Sequence, residues 1–146
     1  MVLKITSSAF KHNNSIPKKY TCDGSNINPS LTIENIPKDA KSLVLLMDDP
    51  DAPMGTFVHW VVWNIPISGK INENSVPGIE GLNSAGKHSY VGPCPPLGTH
   101  RYFFKLYALD TKLDIEKNSK KEDVENAMRG HVIESGEIIG LYSRKT

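Results

Sequence analysis

SLVLLMDDPDAPMGTFVHWVVWNI, residues 42–65, decides how this chain is read. Two nearly unbroken apolar runs, 42–47 and 57–65, flank the turn Asp48-Asp49-Pro50-Asp51-Ala52-Pro53. Short runs rich in Val and Trp fit strands covered on both faces, as in the centre of a sandwich. The Pro-rich turn between them favours a hairpin-like return, which would set Asp49 and His59 at the same end of a sheet. Period-two alternation predicts that His59 shares a face with Phe57, Val61 and Trp63.

The flanking sequence continues in the same key. Leu3-Lys4-Ile5 reads as a short strand, a polar loop with several turn signals fills 11–29, and Leu31-Thr32-Ile33 alternates like a half-buried strand. Residues 101–109 carry Tyr102, Phe104, Leu106 and Ala108 on one face and Phe103, Tyr107 and Leu109 on the other. The stretch 136–143 closes as a last strand. Between the strands, 67–98 is a long Gly/Pro-rich connection without helical period; such a stretch is functional or hides short strands. One helix is predicted, with Ser119 and Glu122 as a capping box, an apolar stripe of Val124, Ala127 and Met128, and Gly130 as a stop. Strands with a single late helix point to a mostly β sandwich rather than alternating βαβ units.

Composition sets the outer limits. A chain of 146 residues suits one domain, spanning 1–146, and 38% apolar residues supply a packed core. A net charge of +1 and scattered lysines leave no electrostatic footprint for nucleic acid. The longest apolar run, 43–47, is far too short to span a bilayer, and the N-terminal residues lack the apolar stretch of a signal peptide. A cytoplasmic protein without integral membrane association is therefore expected. Cys22 and Cys94 lie in different loops; a disulfide between them satisfies the count, but the compartment argument weighs against it. Neither cysteine has an adjacent base that would mark a nucleophile.

The residues that can carry chemistry sit at strand ends: Asp49 in the turn, His59 near the start of the second long strand, and His100 with Tyr102 at the start of the strand after the long connection. Each has a plain alternative. Aspartates and prolines commonly just make turns; a histidine in an apolar strand can be a satisfied core residue; His100 can be a solvent-facing strand end. Cofactor and metal motifs are missing. Gly78, Gly81 and Gly86 do not lead from a strand into a helix, no Gly-x-Ser-x-Gly elbow occurs, and the histidines lack metal-ligand spacing. No cofactor and no metal are expected. His12, His88 and His131 read as surface or loop residues, and Arg101 as a partner for a carboxylate or a brace for the loop.

Taken together, Asp-Pro-Asp-Ala-Pro at 49–53, His-Trp-Val-Val-Trp-Asn-Ile-Pro at 59–66, Tyr-Val-Gly-Pro-Cys-Pro-Pro at 90–96 and His100-Arg101-Tyr102 resemble the phosphatidylethanolamine-binding protein (PEBP) family. The Thr21-Cys22-Asp23-Gly24 loop, the short chain and the late helix resemble its bacterial and archaeal Raf-kinase-inhibitor-like branch, the YbhB/YbcL type. The similarity runs over 3–142. It implies a β-sandwich of a large and a small sheet, with short peripheral helical turns and a pocket at one end. Asp49, His59 and His100 are implied to line that pocket, with Ala52, Pro53, Cys94, Pro95 and Tyr102 as its walls. The C-terminal helix of animal members has no counterpart, which implies a more open rim.

Such a pocket implies a non-enzymatic protein that binds a small anion, phosphate or a phospholipid head group. Two imidazoles could each donate an N–H to anionic oxygens. Asp49 would repel a dianion, so it either orients a histidine or accepts from a protonated ligand oxygen. Ala52-Pro53 is a candidate for a cis bond in a tight turn. Asp48 and Asp51 are expected to be structural, Asp51 supplying hydrogen bonds behind the pocket. An alternative is a kinase or serine-protease inhibitor acting through surface contacts. A phosphate-ester hydrolase using His59 or His100 ranks last, since no nucleophile or metal is evident. Exposed strand edges would permit a homodimer.

Overall fold

The computed structural model describes residues 2–144. Strands β1 (Lys4–Thr6), β3 (Leu31–Glu34) and β6 (Lys70–Ile71) form a small sheet in the order β1-β3-β6. The large sheet contains β2 (Asn14–Ser15), β4 (Ser42–Asp49), β5 (Phe57–Ile65), β7 (Ile79–Glu80), β8 (Thr99–Leu109) and β9 (Val132–Ser143). Its order is β2-β9-β8-β4-β5-β7, so the two strands of the opening sequence pair directly as an antiparallel hairpin. The long connection holds the short strands β6 and β7. A 3₁₀ turn at Lys18–Tyr20 supplies the peripheral helical turn.

All eight residues of β4 are buried, because both faces of the large sheet are covered. On one face Leu43, Leu45 and Met47 pack with Trp60, Val62, Phe104, Leu106 and Ala108 against Ile5, Leu31 and Ile33 of the small sheet. On the other, Val44 and Leu46 pack with Val58, Val61, Trp63 and Leu109 against Val124 and Met128 of helix α1 (Lys121–Met128). Each large apolar side chain so buried is worth roughly 1.5–3 kcal/mol over an exposed one. The alternation runs on to the end of β4. It sends Asp49 to the small-sheet face and Asp48 to the helix face.

Asp48 is a carboxylate sealed on the helix face. It accepts from Lys105 Nζ at 3.1 Å and Lys121 Nζ at 2.9 Å, tying α1 to the sheet. The helix begins one residue later than the Ser119–Glu122 frame predicts. Lys120 is its N-cap, and its N–H is held by the Asp123 carboxylate at 2.9 Å. Ser119 is buried instead, its carbonyl accepting from the Leu82 N–H and pinning the long connection. Gly130, at φ 85°, follows the helix and lets the chain turn into β9.

Two other expectations need correction. Cys22 and Cys94 are joined by a disulfide across 72 residues, against the compartment argument. The 3₁₀ turn and the Gly92–Pro96 segment lie side by side, with the Cys22 N–H donating to the Pro93 carbonyl, so the two sulfurs are brought together by the fold itself. No peptide bond among the described residues is cis, so Ala52-Pro53 is trans. Among the described residues, no helix is long and apolar enough to cross a membrane.

Candidate functional site

The pairing of β4 with β5 contains the feature that builds the site. Met47 faces Trp60, but the next residue, Asp48, faces Val58, which leaves His59 as an extra residue in β5. This is a β-bulge, and a bulge re-aims side chains by breaking the period of two. Above the bulge Phe57 and His59 both turn to the small-sheet side, in edge contact with ring centroids 4.8 Å apart. Below it, Trp60 and Val62 occupy that side while Val61 and Trp63 pass to the helix side. The strict alternation that grouped His59 with Val61 and Trp63 is thereby overturned; only Phe57 stays with it.

β8 delivers the rest. His100 and Tyr102 share its small-sheet face, their rings stacked with centroids 6.4 Å apart, and Tyr102 meets His59 edge-on at 5.3 Å. Asp49, at the end of β4, points into the same space. Its Oδ2 accepts from His100 Nδ1 at 2.7 Å, and its Oδ1 accepts from the Asp51 N–H at 2.8 Å. All four side chains are buried.

A cavity of about 280 Å³ opens at this sheet end. Asp49, His59, His100 and Tyr102 form its floor, and Ala52, Pro53, Cys94 and Pro95 stand in its walls, so the eight residues singled out in the sequence all line one cavity. Phe57, Val91, Gly92 and Pro96 line it too and were not singled out. The signal for them was present: Phe57 lies two residues from His59, and the other three sit inside the 90–96 string. Among the described residues, no lysine or arginine lines the cavity.

The wall opposite the histidines has no regular structure and is held by specific bonds. The Val91 N–H donates to the His59 carbonyl at 3.2 Å, the Gly92 N–H donates to Asn26 Oδ1 at 2.8 Å, and the Tyr90 hydroxyl donates to the Tyr20 carbonyl at 2.7 Å. The disulfide adds a covalent tie at Cys94. Gly92 is required here, since a Cβ would collide with the Tyr20 carbonyl and the Asn26 side chain.

The proton inventory departs from the expectation that both imidazoles are free to donate. His100 Nδ1 meets Asp49, and its Nε2 meets the Leu97 carbonyl at 3.1 Å, so both of its nitrogens are engaged. His59 Nδ1 lies 2.6 Å from the Val91 carbonyl, which can only accept, so Nδ1 carries the proton. Burial pushes the His59 pKa down, against the upward pull of the Val91 carbonyl and of Asp49. The neutral ring therefore leaves Nε2 as a bare lone pair. The Tyr102 hydroxyl has no hydrogen-bond partner among the described residues, and burial, then the Asp49 charge, push its pKa up.

Asp51 stands outside the cavity and braces its rim. Its carboxylate takes the Arg101 N–H and Nε at 2.9 Å each and Nη2 at 2.8 Å. The Arg101 guanidinium holds the Asp51 pKa down to about 2. Arg101 thus pairs with a carboxylate, as expected. A larger groove of about 410 Å³ runs beside Lys18, Asp23 and Arg144, but Asp23 there is consumed by Tyr142 and Arg144.

Residues 6–143 match the family model described as phosphatidylethanolamine-binding protein. The chain belongs to the PEBP family. A UPF0098 protein of Pyrococcus horikoshii is 49% identical, the alignment covering 99% of this chain and 78% of the relative. A UPF0098 protein of Methanothermobacter thermautotrophicus is 48% identical, covering 97% and 99%. Among solved structures, a PEBP homolog from Chlamydia trachomatis superposes with a TM-score of 0.96 at 40% identity, covering 99% of each chain. E. coli YbcL, a member of the mammalian PEBP family, gives 0.91 at 29% identity, covering 99% and 100%. The PEBP fold of two sheets with one helix is therefore shown by descent as well as by geometry.

Proposed function

We propose that this PEBP-family chain acts as one domain, 1–146, and as a non-enzymatic binding protein whose cavity takes a small oxyacid group of the phosphate or carboxylate kind. The observation that carries the reading is the convergence of the Asp49–His100 pair, His59 and the unpartnered Tyr102 hydroxyl on one small cavity. A buried hydroxyl without a partner costs about 1–3 kcal/mol, and a ligand oxygen would recover that. Pro53, Pro95 and Pro96 bring no N–H of their own, so they shape the walls without competing for the ligand. Calorimetric titration with phosphate and phosphoethanolamine tests the reading. Binding by the wild type and its loss in His59→Ala and His100→Ala are expected; no heat with either ligand sinks it.

A surface-acting inhibitor is the second reading. Met54 and Leu97 are 99% and 85% exposed, and each directly follows a proline of the cavity wall, Pro53 or Pro96. Two bare apolar side chains at one mouth suit contact with a protein such as a kinase or protease. Inhibition that survives both histidine changes but is lost in Met54→Asp with Leu97→Asp would favour it. Homodimer formation through strand pairing draws little from this fold, since the outer strands of the large sheet, β2 and β7, are two residues each. As for compartment, the disulfide suits an oxidising environment, or a cytoplasm of the hyperthermophile kind in which such bonds persist.

A further inference from the structure

We propose that His100 works as a protonation-controlled clamp on the 95–98 stretch at the cavity mouth, holding it at low pH and releasing it as pH rises. The clamp is a property of the fold and stands whether or not the cavity binds an oxyacid. Both ring nitrogens of His100 face acceptors: the Asp49 carboxylate lies 2.7 Å from Nδ1, and the Leu97 carbonyl 3.1 Å from Nε2. Only the imidazolium, with a proton on each nitrogen, makes both bonds. A neutral ring has one proton for two acceptors. The charged carboxylate is the stronger of the two, so that proton stays at Nδ1. Nε2 then turns a lone pair toward the Leu97 carbonyl oxygen, and an attraction becomes a repulsion.

The rest of the segment gives this one bond its leverage. Upstream the chain is fixed at Cys94 by the disulfide; downstream Thr99 and His100 pair with Ser143 and Tyr142 of β9. Between these points Pro95 and Pro96 have no N–H to give. Among the described residues, the contact with His100 is the one hydrogen bond that 95–98 makes. Leu97 is too exposed for packing to hold it, and Gly98, at φ 73° with open space on its Cβ side, can turn without collision. The titratable and charged groups around the ring are Asp49 from β4, Asp51 from the turn after it, His59 from β5, Arg101 and Tyr102 from β8, and Tyr142 across the ladder. Asp51 stays ionised by its pairing with Arg101, burial keeps both tyrosines protonated, and burial moves the His59 charge change to the acid side. The gating proton is therefore the one on His100 Nε2. Its loss frees Leu97, so the clamp decides whether Leu97 and Met54 are presented at the mouth as a fixed apolar pair.

Nuclear magnetic resonance on the isotope-labelled wild-type protein tests the clamp without any ligand, from pH 5 to pH 9, a range that spans the ordinary charge change of imidazole. At pH 5 the His100 ring is expected to carry protons on both nitrogens. The Leu97 and Gly98 amides should then have order parameters near the rigid value of about 0.85. As the Nε2 proton titrates away, the Leu97 carbonyl shift should move with the same midpoint, and both order parameters should fall below about 0.6. A ring that loses the Nε2 proton while the Leu97 carbonyl shift stays constant overturns the clamp. So does a ring that keeps both protons to pH 9, or one that lacks the Nε2 proton already at pH 5. His100→Asn, which has no second nitrogen for Leu97, serves as a second arm: its 97–98 amides should be mobile at both ends of the range. Rigid 97–98 amides throughout in that folded variant would place the restraint elsewhere and overturn the assignment to His100.

Discussion

Removing the Cys22–Cys94 bond is the perturbation whose size can be worked most directly. The bond closes a loop across 72 residues, half of the chain. In the chain-entropy treatment a loop of that length restricts the denatured ensemble by about 4.4 kcal/mol at 25 °C. Measured losses for native disulfides run from about 2 to 5 kcal/mol, so Cys22→Ser with Cys94→Ser should lose about 2–4 kcal/mol. With an unfolding entropy of about 2.1 cal/mol/K per residue, the full entropic term would lower Tm by about 14 °C. The folded state should change little. The Cys22 N–H to Pro93, Gly92 N–H to Asn26 and Tyr90 hydroxyl to Tyr20 bonds hold the same wall without the sulfurs. Urea unfolding of oxidised wild type against the double variant is the assay. The variant should show a lower midpoint and a larger m, because its denatured chain is less compact. A loss below about 1 kcal/mol with m unchanged would refute the reasoning, since the loop would then not constrain the denatured state.

Asp48→Asn should cost about 2–3 kcal/mol in urea unfolding, since it strips the shared partner from Lys105 and Lys121, while leaving phosphate binding on the opposite sheet face unchanged. Gly92→Ala should destabilise by about 1–3 kcal/mol and weaken ligand binding, as its Cβ pushes the wall away from Tyr20 and Asn26. The Asp51 carboxyl is depressed in the fold by Arg101, so its contribution is present above the ordinary carboxyl value of 3.8 and is lost as pH falls to about 2. Asp51→Asn should therefore lose about 1 kcal/mol or less at pH 7 and flatten the stability profile in that acid window. The His59 pKa is also depressed, but here the unfolded chain binds the extra proton; stability should fall as pH drops below 6.5, and His59→Gln should remove that slope.

Much of this molecule was legible in its sequence because period-two patterning and covered faces leave a strong trace. The 42–47 run extends by two residues to Asp49, the second run is β5 with the same bounds, and 101–109 lies within β8 with both faces assigned as drawn from alternation. The helix stripe of Val124 and Met128 was legible for the same reason, whereas its start was not. Ser119-x-x-Glu122 and Lys120-x-x-Asp123 are adjacent frames, and tertiary contact from Leu82 to the Ser119 carbonyl decided between them. The disulfide was hidden because compartment is a statement about surroundings, while the proximity of Cys22 and Cys94 is a statement about two loops with no regular structure.

The bulge at His59 is the deeper case, because it is where reasoning from local pattern had to fail for the cavity to exist. Strict alternation through β5 would place Phe57, His59, Val61 and Trp63 on one face, and Val58, Trp60 and Val62 on the other. Either choice of face is then wrong for half of the strand. If His59 faced the cavity, Val61 and Trp63 would leave the helix-side cluster where Trp63 is fully buried; if they stayed, His59 would lie beneath α1 with no cavity to line. One inserted residue resolves the conflict, keeping Trp60 and Val62 in the inter-sheet core and Val61 and Trp63 under the helix while His59 joins Tyr102. The residue spared from ladder pairing is the one whose ring carries the free lone pair. Removing Val58 should leave a regular ladder that passes His59 to the helix face opposite Asp48 and abolishes binding, while Trp60, Val61 and Trp63 keep their places and tryptophan fluorescence keeps its wavelength. Retained binding in a folded deletion variant would show that the register, and with it the placement of His59, is not what makes the site.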